Sequence, residues 1–250
     1  IGKLKIDLPQ TNKAWQYLLA LRVTGTEETN EYDLWSYPAK EQLKELKKGI
    51  VITRQLTDEV EKQLNHGASV LWMPDSASMP NTVGGLFQSD YWNYRMFKTI
   101  CENNKKAVSP GTLGILTDPR HPIFNEFPTG EYTNWQWFPI IKNSRPLMLD
   151  QLAKDYRPVI QVIDNIERNH KLGLVMEFRI GQGRLLICMS DLEKASAYPE
   201  GKQFYRSVLS YMHSGAFKPE LSMTTELLKS VLNTQVTEGK IKELNNISPY

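Results

Sequence analysis

Two sets of residues in this chain are suited to chemistry. The stretch GEYTNWQWFP, residues 130–139, places Tyr132, Trp135, Trp137 and Phe138 within seven positions and sets the amides of Asn134 and Gln136 beside the indoles. A pyranose stacks on an indole face while amides bond its hydroxyls, so the pattern suits a sugar platform, but packing in the core or against a neighbouring domain is the preferred reading. In an extended chain Trp135 and Trp137 share one face, with Asn134, Gln136 and Phe138 on the other. The segment DYWNYRMF is expected to bring Tyr91 and Trp92 alongside. The second set is carboxylates: Asp164, Glu167, Glu177, Asp191 and Glu193. Glycoside hydrolysis needs two of these at a defined separation. Asp191 and Glu193 follow the strand-like GRLLICMS, the strand end at which open α/β sheets bind ligands. Acids in such places are more often helix caps or solvated surface groups.

Other chemistries lack their signatures. There is no P-loop, no dinucleotide fingerprint and no HExxH, and Gly181-Gln182-Gly183 joins two strand-like runs without the helix N-terminus that would cradle phosphate. His66, His121, His170 and His213 are scattered, and no nucleophile elbow of the GxSxG or GxCxG kind occurs. Cys101 and Cys188 lack ligand-spaced partners and are expected to be free thiols. No catalytic residue, metal ligand or cofactor is assigned. Thirty basic against 28 acidic residues give a net charge of +2 with no basic stripe, which argues against nucleic acid. No apolar run approaches a membrane span of about 18 residues, and the first residues lack a signal-peptide pattern. The chain begins with Ile1 rather than Met, so a piece of a longer or matured protein is expected.

The elements that must carry these residues follow from periodicity. LKIDL alternates, then Trp15, Tyr17, Leu19, Leu21 and Val23 share one parity, and EYDLWSYP is a third candidate strand. Three strands cannot cover their own apolar face, so residues 1–38 are expected to be the tail of a β-sandwich. From Ile50 the chain alternates IVIT, a helix capped by Thr57 and stopped at Gly67, and SVLWMP, the strand–helix–strand unit of a parallel sheet. NYRMFKTICENN is a helix, TLGILTDP a strand and HPIFNEF a short turn, whereas RPVIQVIDNI, KLGLVMEFRI and GRLLICMSDL are strands with a hairpin at RIGQGR, so the sheet should be mixed. GKQFYRSVLSYMH and TTELLKSVLN are the closing helices, the second beyond a linker at 217–222.

LGILTDPRHPIFNEFPTGEYTNWQWFPII, RPVIQVIDNIERNHKLGLVMEFRIGQGRLLICMSDLE and the upstream GTEETNEYDLWSYP resemble the C-terminal region of bacterial family-two glycoside hydrolases, the β-galactosidase-like proteins. The resemblance covers about residues 14–217. It implies an α/β fold, flavodoxin-like or class I glutamine amidotransferase-like, with a mixed sheet between helices preceded by a few antiparallel sandwich strands. With the periodicity it divides the chain into 1–38 and 39–217; it is silent on the last thirty residues, and the sequence pattern makes 218–250 a helical tail. The amidotransferase nucleophile is missing after SVLWMP, and CMSDLE stands where that triad's histidine and glutamate would be. The glycosidase acid and nucleophile belong to a barrel that this chain lacks. The function implied is thus a non-catalytic accessory portion of such a hydrolase, serving interdomain packing, oligomerisation or glycan-site shaping. The rivals are a carbohydrate-active hydrolase in its own right and a stand-alone carbohydrate-binding module. The implied partners are the parent's upstream catalytic and sandwich domains, glycans and a second copy of the chain, without nucleic acid or membrane; the implied address of the parent is periplasmic or extracellular. The candidate carbohydrate-binding residues are Trp92, Asn134, Trp135, Trp137 and Asp191.

Overall fold

The computed structural model describes residues 3, 5–9, 11–39, 43–85, 94–106, 108, 112–165 and 168–233. Strand β1 (Trp15–Arg22) pairs antiparallel with β2 (Thr29–Ser36) in a two-stranded ribbon. Its register sets Trp15, Tyr17, Leu19 and Leu21 on one face with Tyr32 and Leu34, the face expected from their shared parity. LKIDL was expected to be a strand as well, but residues 5–9 take no regular structure, and Ile6 and Leu8 are exposed. Alternation alone does not make a strand; a neighbour must satisfy its backbone, and among the described residues β1 pairs only with β2.

The body follows in chain order: α1 (Leu43–Leu46), β3 (Ile50–Thr53), α2 (Asp58–Asn65), β4 (Ser69–Trp72), α3 (Tyr94–Asn103), β5 (Gly114–Thr117), α4 (Phe138–Lys142), β6 (Leu147–Met148), β7 (Ile160–Ile163), β8 (Lys171–Ile180), β9 (Gly183–Cys188), α5 (Leu192–Ala195), α6 (Pro199–His213) and α7 (Thr225–Asn233). Among the described residues, seven strands form one sheet in the order β3-β4-β9-β8-β7-β5, with β6 beside β8. β3, β4 and β9 run parallel, and β8, β7 and β5 alternate in direction, so the fold is α/β with a mixed sheet between helices, preceded by antiparallel strands. The β3-α2-β4 unit starts where Thr57 accepts a hydrogen bond from the Val60 amide at 3.4 Å, and α2 stops at Gly67, whose φ of +98° suits glycine.

The two faces of the sheet are distinguished by register. A Cβ on Gly183 would lie 2.3 Å from the carbonyl oxygen of Leu64, so α2 presses on that face. Leu186, of opposite parity, pairs with Glu177, whose side chain meets Tyr211 of α6. α1, α4 and α5 contact α6 on this second face, while Lys229 of α7 pairs with Glu61 of α2 on the first. Leu228 and Val231 of α7 are buried, so the helix beyond residue 217 packs on the body.

The ribbon is seated on the body by its last turn of chain. Trp35 Nε1 donates to the Pro128 carbonyl at 3.0 Å, and the Tyr37 hydroxyl donates to Gln136 Oε1 at 2.9 Å. The Tyr37 ring lies parallel to Phe127 at 6.5 Å.

Candidate functional site

GEYTNWQWFP is a seat in part and core in part. It is not extended: Asn134 Oδ1 accepts from the Gln136 amide at 3.2 Å and caps a 3₁₀ turn, Trp135–Trp137, which runs into α4 with Pro139 in its first turn. The turn sends the two indoles apart. Trp135 is 83% exposed, whereas Trp137 is fully buried, edge-on to Phe124, Phe127 and Phe204 with centroids 5.1–6.1 Å away, and its Nε1 donates to Thr129 Oγ1 at 2.9 Å. Trp137 was a candidate for sugar stacking with packing the preferred reading, and a ring packed on all sides offers no face to a sugar. Asn134 is spent locally, as cap and as donor to Thr129 Oγ1 at 3.2 Å. Gln136 is buried between Tyr37 and the Pro128 carbonyl. Trp135, with Phe138 one turn on and Lys142 over the Phe138 ring, remains on the surface. Trp92 and Tyr91 lie outside the described residues, as does Glu167.

The carboxylates resolve differently. Asp191 caps α5 through the Lys194 amide at 3.1 Å and accepts from the two terminal guanidinium nitrogens of Arg54, at 3.0 and 3.2 Å, while Glu193 accepts from Arg54 as well at 2.9 Å. Burial raises the Asp191 carboxyl, but the Arg54 and Lys194 hydrogen bonds outweigh it and hold it below the usual range. Asp191 is thus a helix cap and an ion-pair partner of Arg54. Asp164 is likewise committed, to Arg168 at 2.6 Å.

Glu177 is the exception. It projects from β8 into a cavity of about 700 Å³ bounded by the ends of β5, β7 and α6 and by the segments 155–159 and 216–221. The Tyr211 hydroxyl donates to Glu177 Oε2 at 2.7 Å. Burial pushes the Glu177 carboxyl up, the Tyr211 bond opposes this, and the charge of Glu220 adds to the rise. Tyr211 is raised in turn by burial and by Glu177. Its ring meets His121 edge-on, with centroids 5.2 Å apart. His121 stands in the turn after β5, where Nδ1 accepts the Ile123 amide at 3.3 Å and caps the 3₁₀ turn Pro122–Phe124. An acceptor at Nδ1 leaves the proton of the neutral ring on Nε2. Burial lowers the His121 pKa, so the neutral ring is favoured. Tyr156, stacked on Phe178 at 5.7 Å, and Gln161 complete the inner wall.

Glu177 was legible as a candidate only as one carboxylate among several. His121 and Tyr211 were missed: the first reads as a turn residue before Pro122 and the second as one aromatic on an amphipathic helix, and neither pattern points at the other. Cys188 is a buried thiol that burial pushes up to about 12, and Cys101 is free. No helix among the described residues is long and apolar enough to cross a membrane.

These features define a mixed α/β domain carrying an antiparallel ribbon and a cleft into which Glu177 projects. The chain belongs to the family described as Domain of unknown function (DUF8487), whose profile matches residues 51–233, a span that includes the cleft and α7. Residues 1–38, which include the ribbon, match a second family, Domain of unknown function (DUF8488). No curated protein matches the chain. Among solved structures it is similar to the "Cytoplasmic Protein STM3548 from Salmonella typhimurium" at 10% identity, over 80% of this chain and 96% of that one, with a TM-score of 0.34.

Proposed function

We propose that this chain is a non-catalytic accessory portion of a glycoside hydrolase resembling those of family two, and that its task is to hold a neighbouring layer of protein against an α/β body. The observation that carries this reading is the ribbon. Trp35 and Tyr37 bolt it to the body, yet Trp15, Leu21 and Tyr32 on its apolar face are 49%, 44% and 51% exposed. A two-stranded ribbon with one apolar face needs a second layer, and an exposed face of this kind marks a contact surface. An upstream sandwich domain of the same parent fits that face, and a second copy of the chain is the other occupant. The commitment of Asp164, Asp191 and Glu193 to arginines supports a role without glycosidic bond cleavage. The reading carries with it a polysaccharide-degrading parent that acts in the periplasm or outside the cell.

The test has two arms. The purified chain should turn over neither aryl galactosides nor glutamine, and the charge-introducing variant Leu21→Asp/Tyr32→Asp should abolish any self-association seen by sedimentation while leaving the melting of the body unchanged. Glycoside turnover that disappears with Glu177→Gln would replace the accessory reading with a hydrolase. Association that ignores both ribbon substitutions would remove the ribbon as the contact surface.

A further inference from the structure

We propose that the cleft of Glu177 is a binding site for a small organic cation, a ligand whose protonated amine sits on the Glu177 carboxylate beside the rings of Tyr211, Tyr156 and His121. The inference goes beyond the accessory role and stands independently of it.

The cavity, about 700 Å³, falls within the roughly 300–1,000 Å³ of small-molecule sites. Its charges are sorted by depth. Asp118, Asp155, Arg157, Lys218 and Glu220 are exposed on the rim, Asp118 paired with Arg120, and the less exposed lining holds one carboxyl, Glu177, with two tyrosines, an imidazole and Gln161. The Arg157 guanidinium is bound to the carbonyls of Lys154 and Tyr156 at 2.8 and 3.1 Å. Among the described residues no lysine or arginine forms an ion pair with Glu177; its one hydrogen-bond donor is the Tyr211 phenol. His121 spends Nδ1 on the Ile123 amide and brings no fixed positive charge.

A carboxylate withdrawn from water is costly unless a cation meets it, so what this wall lacks is positive charge. An ammonium group supplies it, and the tyrosine rings add cation–π attraction. An anionic ligand would be repelled by Glu177. A neutral polyol could bond to Gln161 and the carboxylate but would leave the charge uncompensated.

Calorimetric titration of the full chain with benzylammonium, phenethylammonium and agmatine tests this, with benzyl alcohol, benzoate and galactose as the neutral, anionic and sugar comparisons. The ammonium fragments should bind with Kd values of about millimolar or tighter, as expected of ligands this small, and at least about tenfold more tightly than the alcohol or benzoate. Glu177→Gln keeps an acceptor for Tyr211 and so keeps the fold, as far-UV circular dichroism will check, and it should weaken the ammonium ligands at least about tenfold. The ligand comparison on the unaltered chain stands whatever that variant does. Equal binding of ammonium, alcohol and benzoate, undiminished binding in a folded Glu177→Gln variant, preference for galactose, or no ammonium binding at millimolar concentration would each overturn the proposal.

Discussion

Removing one oxygen from Tyr37 tests how the ribbon is held. In Tyr37→Phe the ring keeps its stack on Phe127, but Gln136 Oε1 loses the donor that approaches it at 2.9 Å. Gln136 is only 1% exposed, so water cannot take the place of the phenol, while its Nε2 stays bound to the Pro128 carbonyl at 2.8 Å. A buried acceptor left without a partner costs about 1–3 kcal/mol, which in a domain of this size lowers the melting temperature by about 2–4 °C per kcal/mol. Gln136→Leu removes the orphan instead; the Pro128 carbonyl still accepts from Trp35 Nε1 at 3.0 Å, and the half-buried Tyr37 hydroxyl can turn to solvent. In the double variant the Tyr37 change should therefore cost much less than in the parent, a coupling of about 1 kcal/mol or more. Urea denaturation followed by tryptophan fluorescence gives all three values. A Tyr37→Phe cost below about 0.5 kcal/mol, or a cycle with no coupling, would refute the claim that this hydrogen bond fastens the ribbon to the body.

The two indoles of GEYTNWQWFP should separate cleanly. Trp137→Ala empties the aromatic cluster with Phe124, Phe127 and Phe204 and should cost about 3–5 kcal/mol, whereas Trp135→Ala should change stability by less than about 0.5 kcal/mol in the same denaturation assay. Glu177→Gln should raise the melting temperature at neutral pH. The folded-state pKa of Glu177 lies above its unfolded value, so the protonated carboxyl is the form the fold prefers. The stability this contributes is present below the ordinary carboxylate pKa and is lost as pH rises through the raised one. The difference between Glu177→Gln and the parent should therefore vanish in acid and grow toward neutral pH, as read from thermal melts across that range. His121 acts in the other direction: its pKa is lowered, so its neutral form favours folding above the ordinary histidine value, and that contribution falls as the pH drops.

The sequence by itself determined what depends on neighbours a few residues apart. The shared parity of Trp15, Tyr17, Leu19 and Leu21 predicts the apolar face of the ribbon, because side chains alternate in any strand. Thr57 and Gly67 bound α2 because a cap and a left-handed stop act within one turn. The alternation of IVIT, helix and SVLWMP announces a parallel unit, and the pattern from RPVIQVIDNI to GRLLICMSDL announces its antiparallel neighbours. The same reasoning misjudged LKIDL, whose alternation found no partner strand among the described residues, and left open the conformation of GEYTNWQWFP, where an Asn134 cap closes a 3₁₀ turn. Only the tertiary structure decided that β9 pairs with β4, that Arg54 reaches Asp191, and that Glu177 meets Tyr211 and His121 in one cleft. Those encounters join residues dozens of positions apart, and no local spacing encodes them. Ionisation follows the same division, because Asp191 and Glu177 are both acids of the same sheet region, and what separates a satisfied cap from a carboxyl pushed upward is the depth of burial and the charge of the neighbour, both set by packing.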